Sequence, residues 1–142
     1  MSETEIVAEV SLYPTRFVVL TGGEPGIQVT ESLIDLLHEA NFEVAIETNG
    51  SVQLPKNIDW VTVSPKGGEL KAERCNELKI VFEGTSEPTV PTQFENARKY
   101  LQPMDTGDKD RNSEIVRRCV EYIKSHPQWR LSLQTHKLVG FT

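Results

Sequence analysis

Short apolar runs alternate with helical patterns along most of this 142-residue chain. Runs rich in β-branched and aromatic residues predict strands at residues 17–20, 44–48, 60–63, 78–82, 100–101 and 130–133. Apolar residues at helical spacing predict helices at residues 2–10, 30–41 and 115–123. Strands that alternate with helices join as parallel βαβ units with right-handed crossovers. The pattern therefore predicts an α/β fold with parallel strands.

The ends of these elements carry local signals. Ser2 and Glu5 have the spacing of a capping box, which predicts that the first helix begins there. Thr30 is the expected N-cap of the second helix, and Asn41 is its expected end. The stretch 106–111, Thr-Gly-Asp-Lys-Asp-Arg, is interpreted as a charged surface loop.

Length and charge restrict the class of protein. A chain of this length can bury one sizeable core, so we expect residues 1–142 to form a single domain. The formal net charge of −6 argues against a nucleic-acid surface, which needs cations to neutralise phosphates. No apolar stretch is as long as a membrane helix, and residues 1–16 lack the pattern of a signal peptide. We therefore expect a cytoplasmic protein that binds neither nucleic acid nor membrane.

The two cysteines, Cys75 and Cys119, lie far apart in the sequence. Neither has the close neighbours of a zinc or iron-sulfur motif, and the three histidines are equally scattered. We expect two reduced thiols that are at least partly buried. The sequence predicts no metal ligands.

Polar clusters follow five of the predicted strands. The clearest is Thr-Gly-Gly-Glu-Pro at residues 21–25, directly after the run 17–20, which we expect to be a buried strand. Glycines in such a loop let a ligand approach the backbone closely. The other clusters lie at residues 47–50, 64–66, 102–105 and 134–137. Because ligands of parallel α/β sheets bind beyond the carboxyl ends of the strands, these clusters predict a small-molecule site.

In combination, these clusters resemble a known family. Thr-Gly-Gly-Glu-Pro after one strand and Glu-Thr-Asn-Gly after the next are similar to the S-adenosylmethionine-binding half of radical S-adenosylmethionine (radical SAM) enzymes. The longer strings at 58–66, 100–105 and 129–137 resemble the 7-carboxy-7-deazaguanine synthases of queuosine biosynthesis. The resemblance covers nearly the whole chain. It implies a partial, incomplete radical SAM βα barrel with parallel strands.

One part of the family pattern is absent from this sequence. The resemblance implies a Cys-x3-Cys-x2-Cys-type loop that holds a [4Fe-4S] cluster, with a threonine beside it that binds Mg²⁺. Cys75 and Cys119 cannot replace three closely spaced thiolates. We therefore expect the chain to lack the cluster, its loop and the first strand of the barrel, and to lack radical activity by itself. A fragment, a mis-started reading frame and a degenerate paralogue each explain this departure.

The resemblance implies roles for the residues at the strand ends. S-adenosyl-L-methionine would bind at Gly22, Gly23, Glu24, Ser64, Pro65, Lys66, Gln102, Pro103, Met104 and Asp105. The substrate, 6-carboxytetrahydropterin, would contact Thr21, His136 and the terminal carboxylate of Thr142. The residues alone also permit simpler roles: Glu24 can begin a helix, Lys66 can be a solvated charge and Asp105 can stabilise a turn.

Two functions from different classes follow. The resemblance implies an enzyme that converts 6-carboxytetrahydropterin to 7-carboxy-7-deazaguanine with loss of ammonia, a radical SAM carbon–nitrogen lyase. It also implies an electron donor such as flavodoxin and a homodimer. The alternative is a non-catalytic remnant that keeps the fold and weak nucleoside affinity. In either case, a strand 17–20 without a neighbour on one side predicts association through that edge.

Overall fold

The computed structural model describes residues 1–140, which fall into two compact units, Met1–Asn76 and residues 77–140. Each unit contains three parallel strands and at least two helices, which confirms the predicted α/β class. No helix described for residues 1–140 combines the length and the apolar character needed to cross a lipid bilayer. The single domain expected for residues 1–142 stays a prediction.

The first unit contains two helices and three strands. In chain order these are α1 (Glu3–Val10), β1 (Phe17–Leu20), a 3-10 turn (Pro25–Ile27), α2 (Glu31–Glu39), β2 (Glu43–Thr48) and β3 (Trp60–Val63). The predicted capping box is confirmed, because Ser2 N donates to Glu5 Oε2 at 2.6 Å and Glu5 N donates to Ser2 Oγ at 3.2 Å. Thr30 caps α2 as predicted, accepting from Leu33 N at 3.1 Å.

β2 is the central strand of the first unit. It pairs in parallel with β1 on one side and with β3 on the other, with Val44 opposite Val18 and Ile46 opposite Val61. Helix α2 contacts β2, and its buried side chains are Leu33, Ile34 and Leu37. The sheet contributes the fully buried side chains Val44, Ile46, Val61 and Val63. The carboxyl ends of all three strands lie at one edge, because the strands are parallel.

The expectation that residues 17–20 form a buried strand is wrong. Phe17 is 47% exposed and Val19 is 44% exposed. β1 is the outer strand of this unit, and Phe17 and Val19 lie on the sheet face opposite to that of Val18 and Leu20. The apolar composition correctly predicted a strand, but it did not indicate which neighbours cover the strand.

The second unit contains β4 (Glu77–Phe82), a 3-10 turn (Thr92–Phe94), β5 (Arg98–Pro103), α3 (Lys109–Ser125), β6 (Trp129–Leu131) and α4 (Thr135–Leu138). β5 is central and pairs in parallel with β4 and β6. Helix α3 packs on this sheet through a core of Phe82, Leu101, Ile115, Cys119 and Trp129.

Three predicted boundaries in the second unit are wrong. The strand predicted at 100–101 runs from Arg98 to Pro103, because pairing on both sides outweighs its polar composition. Helix α3 begins inside the predicted loop 106–111, because Asp108 Oδ1 accepts from Arg111 N at 2.9 Å and caps the helix. The last strand covers 129–131 rather than 130–133.

Candidate functional site

The glycine-rich loop after β1 has an open backbone. Gly22 has φ +86° and Gly23 has φ +36°, in the left-handed region that favours glycine. A Cβ atom built at either position would have no neighbouring heavy atom within 4 Å. These glycines are therefore required by the turn and not by close packing. They leave a stretch of backbone accessible to a ligand.

Glu24 links this loop to the end of β2. Its Oε1 accepts from Gly26 N at 3.0 Å and from Thr48 Oγ1 at 2.5 Å, and its Oε2 accepts from Asn49 N at 2.7 Å. Glu24 is also the N-cap of the turn Pro25–Ile27, so the simpler role considered for it is present in the structure. The carboxylate therefore holds two of the strand-end clusters together.

A cavity of about 580 Å³ opens beside the loop. Its lining includes Met1, Glu3, Ile6, Val19, Leu20, Thr21, Gly22, Gly23, Glu24, Pro25, Gln28, Val29 and Leu33. One wall belongs to α1, which the sequence did not connect with the site. The Glu3 carboxylate accepts hydrogen bonds from the hydroxyls of Thr30 and Ser32. The bond from Thr30, followed by that from Ser32, lowers the pKa of Glu3.

The cluster that follows β3 lies at the same edge of the first unit. Ser64 N donates to Thr48 O at 2.8 Å, which places residue 64 next to the end of β2. Ser64 and Pro65 are half-buried, whereas Lys66 is exposed. The structure therefore brings residues 21–24, 48–49 and 64–66 to one edge, as the sequence predicted for parallel strands.

Another cavity of the first unit, of about 270 Å³, shares no lining residue with these clusters. Its lining includes Leu54, Pro55, Lys56, Glu73 and Arg74. The Arg74 guanidinium is already engaged with the carbonyl oxygen of Ile58. We assign no ligand to this cavity.

In the second unit, residues 102–105 surround the end of β5. Gln102 and Pro103 are the last residues of the strand, and Met104 N donates to Phe82 O at 3.0 Å. A cavity of about 180 Å³ is lined by Pro103, Met104, Asp105, Asn112, Val116, Ser132, Leu133, Gln134, Lys137 and Leu138. This arrangement places the C-terminal part of the 102–105 cluster beside helix α4.

The Asp105 carboxylate is the centre of a polar network. Its Oδ2 accepts from Lys137 Nζ at 2.7 Å, and its Oδ1 accepts from Gly107 N at 3.0 Å and from Asn112 Nδ2 at 2.9 Å. The hydrogen bond from Lys137, then those from Gly107 and Asn112, hold the pKa of Asp105 well below its usual range. The bond to Gly107 is the turn role considered for Asp105. Sequence reasoning identified neither Lys137 nor Asn112 as its partner.

Of the three residues predicted to contact the pterin, the structure describes Thr21 and His136. Thr21 lines the 580 Å³ cavity, and His136 lies exposed on α4. Thr142 lies outside the described residues. The substrate roles of these three residues therefore stay predictions.

The cysteines of the chain do not fit a [4Fe-4S] cluster. Cys119 is fully buried on α3, and burial raises the pKa of its thiol to about 11. Cys75 belongs to the other unit and is partly buried. Within residues 1–140, no group of three or more His, Cys, Asp and Glu side chains is arranged to hold a metal ion. The expectation of two at least partly buried thiols is confirmed, and the absence of a cluster stays a prediction.

Two relatives of similar sequence share one name. The chain is 46% identical over 140 residues to the 7-carboxy-7-deazaguanine synthase of Bacteroides thetaiotaomicron, covering 98% of this chain and 72% of the relative. It is 48% identical over 129 residues to the 7-carboxy-7-deazaguanine synthase of Bradyrhizobium diazoefficiens, covering 88% of this chain and 59% of the relative. No family model matches the chain.

A solved structure is similar as well. The crystal structure of QueE from Escherichia coli matches with a TM-score of 0.68 and 30% sequence identity, covering 94% of this chain and 64% of that chain. Parallel strands with polar clusters at their carboxyl ends, together with this likeness, define an α/β protein of the radical SAM fold class.

The chain belongs to the 7-carboxy-7-deazaguanine synthase family. The resemblance drawn from the motifs is therefore confirmed, and the relatives do not favour the alternative of a non-catalytic remnant. The chain spans 59% to 72% of the length of the two relatives compared above.

Proposed function

We propose that this chain acts in the synthesis of 7-carboxy-7-deazaguanine from 6-carboxytetrahydropterin. The reaction releases ammonia, so its class is a carbon–nitrogen lyase. The observation that carries the proposal is the 46% identity, over 98% of this chain, with a relative of that name. The glycine-rich loop and the 580 Å³ cavity beside it supply a place for a small molecule.

Residues 22–24 fit the methionine end of S-adenosyl-L-methionine. The cavity volume of about 580 Å³ lies within the range of roughly 300–1,000 Å³ that is typical of small-molecule sites. A carboxylate has about four lone-pair positions, and three hydrogen bonds already occupy three of those on Glu24. One position is left for an ammonium group, which would form a charge-assisted bond. Glu24 would therefore hold the loop and, at the same time, accept a hydrogen bond from the ammonium group of the ligand.

The rest of the cofactor would meet the other strand-end clusters. Ser64, Pro65 and Lys66 follow β3 at the edge that also carries the glycine-rich loop. Residues 102–105 would contribute backbone groups and the side chains of Gln102 and Met104. Asp105 contributes less directly, because its carboxylate is engaged with protein donors.

The pterin would contact Thr21, His136 and Thr142. We further propose a homodimer in the cytoplasm, an electron donor such as flavodoxin, and Mg²⁺ as a cofactor. Because Cys75 and Cys119 do not fit a [4Fe-4S] cluster, its three thiolates would have to come from another polypeptide segment. We assign neither a cluster ligand nor a magnesium ligand to residues 1–140.

A chimera tests the proposal. The part of the Bacteroides thetaiotaomicron relative that this chain does not cover is fused to residues 1–142, and the product is reconstituted anaerobically with iron and sulfide. Chromatography then measures 7-carboxy-7-deazaguanine formed from 6-carboxytetrahydropterin and S-adenosyl-L-methionine. We expect turnover by the chimera, a reduction of at least tenfold with Lys66→Gln, and a near-normal rate with the control Lys71→Gln. A folded chimera that holds its cluster but forms no product would contradict the proposal.

A further inference from the structure

Helix α4 has few local interactions that stabilise it. It has four residues, Thr135–Leu138, none of them buried, and its first turn has no side-chain cap. A helix of this length is not stable in isolation. The conformational entropy lost in forming its first turn exceeds the free energy gained from the hydrogen bonds of a single turn. Within residues 1–140, the side-chain hydrogen bond that joins α4 to the rest of the second unit is that from Lys137 Nζ to Asp105 Oδ2, at 2.7 Å.

The acceptor of this bond is fixed in advance. Gly107 N and Asn112 Nδ2 both donate to the other carboxylate oxygen of Asp105, at 3.0 and 2.9 Å. The Asn112 side chain is itself held in position by Thr106. Its Oδ1 accepts hydrogen bonds from Thr106 N at 2.9 Å and from Thr106 Oγ1 at 2.7 Å. Lys137 therefore meets a carboxylate whose orientation is already determined, so less conformational entropy is lost when the pair forms.

We propose that Lys137 is a positioning residue: its ion pair with Asp105 holds α4, and with it His136, beside the end of β5. The position of α4 would then depend on one charge pair between two segments far apart in the sequence. The role of His136 in binding a ligand rests on the proposed function. The claim that Lys137 holds α4 is independent of the proposed function.

The exposure of the pair predicts a local effect. The Lys137 and Asp105 side chains are 49% and 40% exposed. Exposed ion pairs contribute little to global stability and are screened by salt. Removing Lys137 should therefore release α4 and leave the unfolding midpoint of the protein nearly unchanged. This combination separates a positioning residue from a residue of the general scaffold.

Amide hydrogen exchange of the chain tests the inference. The reporters are the amides of residue 137, which donates to Gln134 O, and of residue 139, which donates to Thr135 O. With Lys137→Gln we expect protection factors at both amides to fall about threefold to fivefold, and Lys137→Arg should restore most of the protection. Lys124→Gln, which removes an exposed lysine from the last turn of α3, should leave both amides unchanged.

Salt supplies an internal check, because 1 M sodium chloride should lower the wild-type protection toward that of Lys137→Gln and leave the variant unaffected. Wild-type protection in Lys137→Gln, or an equal loss in Lys124→Gln, would overturn the inference.

A binding measurement separates this inference from the proposed function. The probe is 6-carboxypterin, the oxidised analogue of the proposed substrate, titrated into the wild type, Lys137→Gln and Lys137→Arg. We expect binding by Lys137→Gln to weaken by no more than the threefold to fivefold loss of α4 protection, because the apparent affinity scales with the population of the held state, and near-normal binding for Lys137→Arg. Equal affinity of all three variants would contradict the placement of His136 by Lys137. No binding by the wild type, together with the expected loss of exchange protection, would reject the pterin site while the holding of α4 stands.

Discussion

Replacing Glu24 by alanine should destabilise the protein measurably, even with no ligand present. The substitution removes the acceptor of three hydrogen bonds, from Gly26 N, Thr48 Oγ1 and Asn49 N. Thr48 is only 4% exposed, so its hydroxyl cannot be fully rehydrated. Bonds to a charged group are each worth roughly 1.5–3 kcal/mol, and partial rehydration of the two amides reduces the sum to about 2–4 kcal/mol.

Urea unfolding followed by circular dichroism measures this effect. With an m-value of about 2 kcal/mol/M, the midpoint for Glu24→Ala should fall by on the order of 1–2 M. Glu24→Gln should lose less, because one carbonyl oxygen remains as an acceptor. The matched control is Glu47→Ala, at an exposed position of the otherwise mostly buried strand β2, which should cost no more than about 0.5 kcal/mol. If Glu24→Ala and Glu47→Ala have the same midpoint, the carboxylate does not hold the loop and our reading of its hydrogen bonds is refuted.

Three further predictions concern other parts of the chain. The Cys119 thiol is fully buried, and burial raises its pKa to about 11. It should therefore react with a disulfide reagent at least a hundredfold more slowly in the native state than in urea. A reaction rate independent of urea would contradict this. Val19→Lys places a charge on outer strand β1, where Val19 is 44% exposed, and should reduce association as measured by light scattering; unchanged association would place the contact elsewhere. Hydrogen bonds from Arg117 and then Arg118 lower the pKa of Glu114 to about 2, so the stabilisation that Glu114 contributes is present above pH 4.5 and lost as the pH falls toward 2. The difference in urea midpoint between the wild type and Glu114→Gln should vanish over that interval, and a difference that grows on acidification would reverse the sign of the argument.

The elements that the sequence predicted well are those with local causes. The capping box of α1 and the cap of α2 depend on residues within one helical turn, and both are present. Strand β3 has the predicted bounds, Trp60–Val63, because an apolar run with polar flanks marks both of its ends. The order of the six strands and of α1, α2 and α3 followed from the same local patterns, whereas α4 was not predicted.

The errors have tertiary causes. The exposure of Phe17 and Val19 depends on which neighbours cover β1, which the apolar composition does not contain. The length of β5 depends on its pairing with β4 and β6. The side-chain partners of Asp105 lie 7 and 32 residues away, and a lysine on a short helix gives no local sign of its acceptor. The glycine-rich loop was recognisable from its motif, whereas the contribution of α1 to the adjoining cavity was not.

Titration of the chain with S-adenosyl-L-methionine, followed by amide chemical shifts, tests the central claim most directly. We predict shifts at residues 22–24, 64–66 and 102–105, with the amide of Cys119 unchanged. The affinity should be in the millimolar range, because a few hydrogen bonds of about 0.5–1.5 kcal/mol each must offset the entropy of association. Shifts confined to the cavity lined by Leu54, Lys56 and Arg74 would contradict the placement of the site. The cysteines of this chain do not fit a [4Fe-4S] cluster, and we infer that such a cluster supplies the strongest contact to S-adenosyl-L-methionine. Micromolar affinity of the chain alone would contradict that inference.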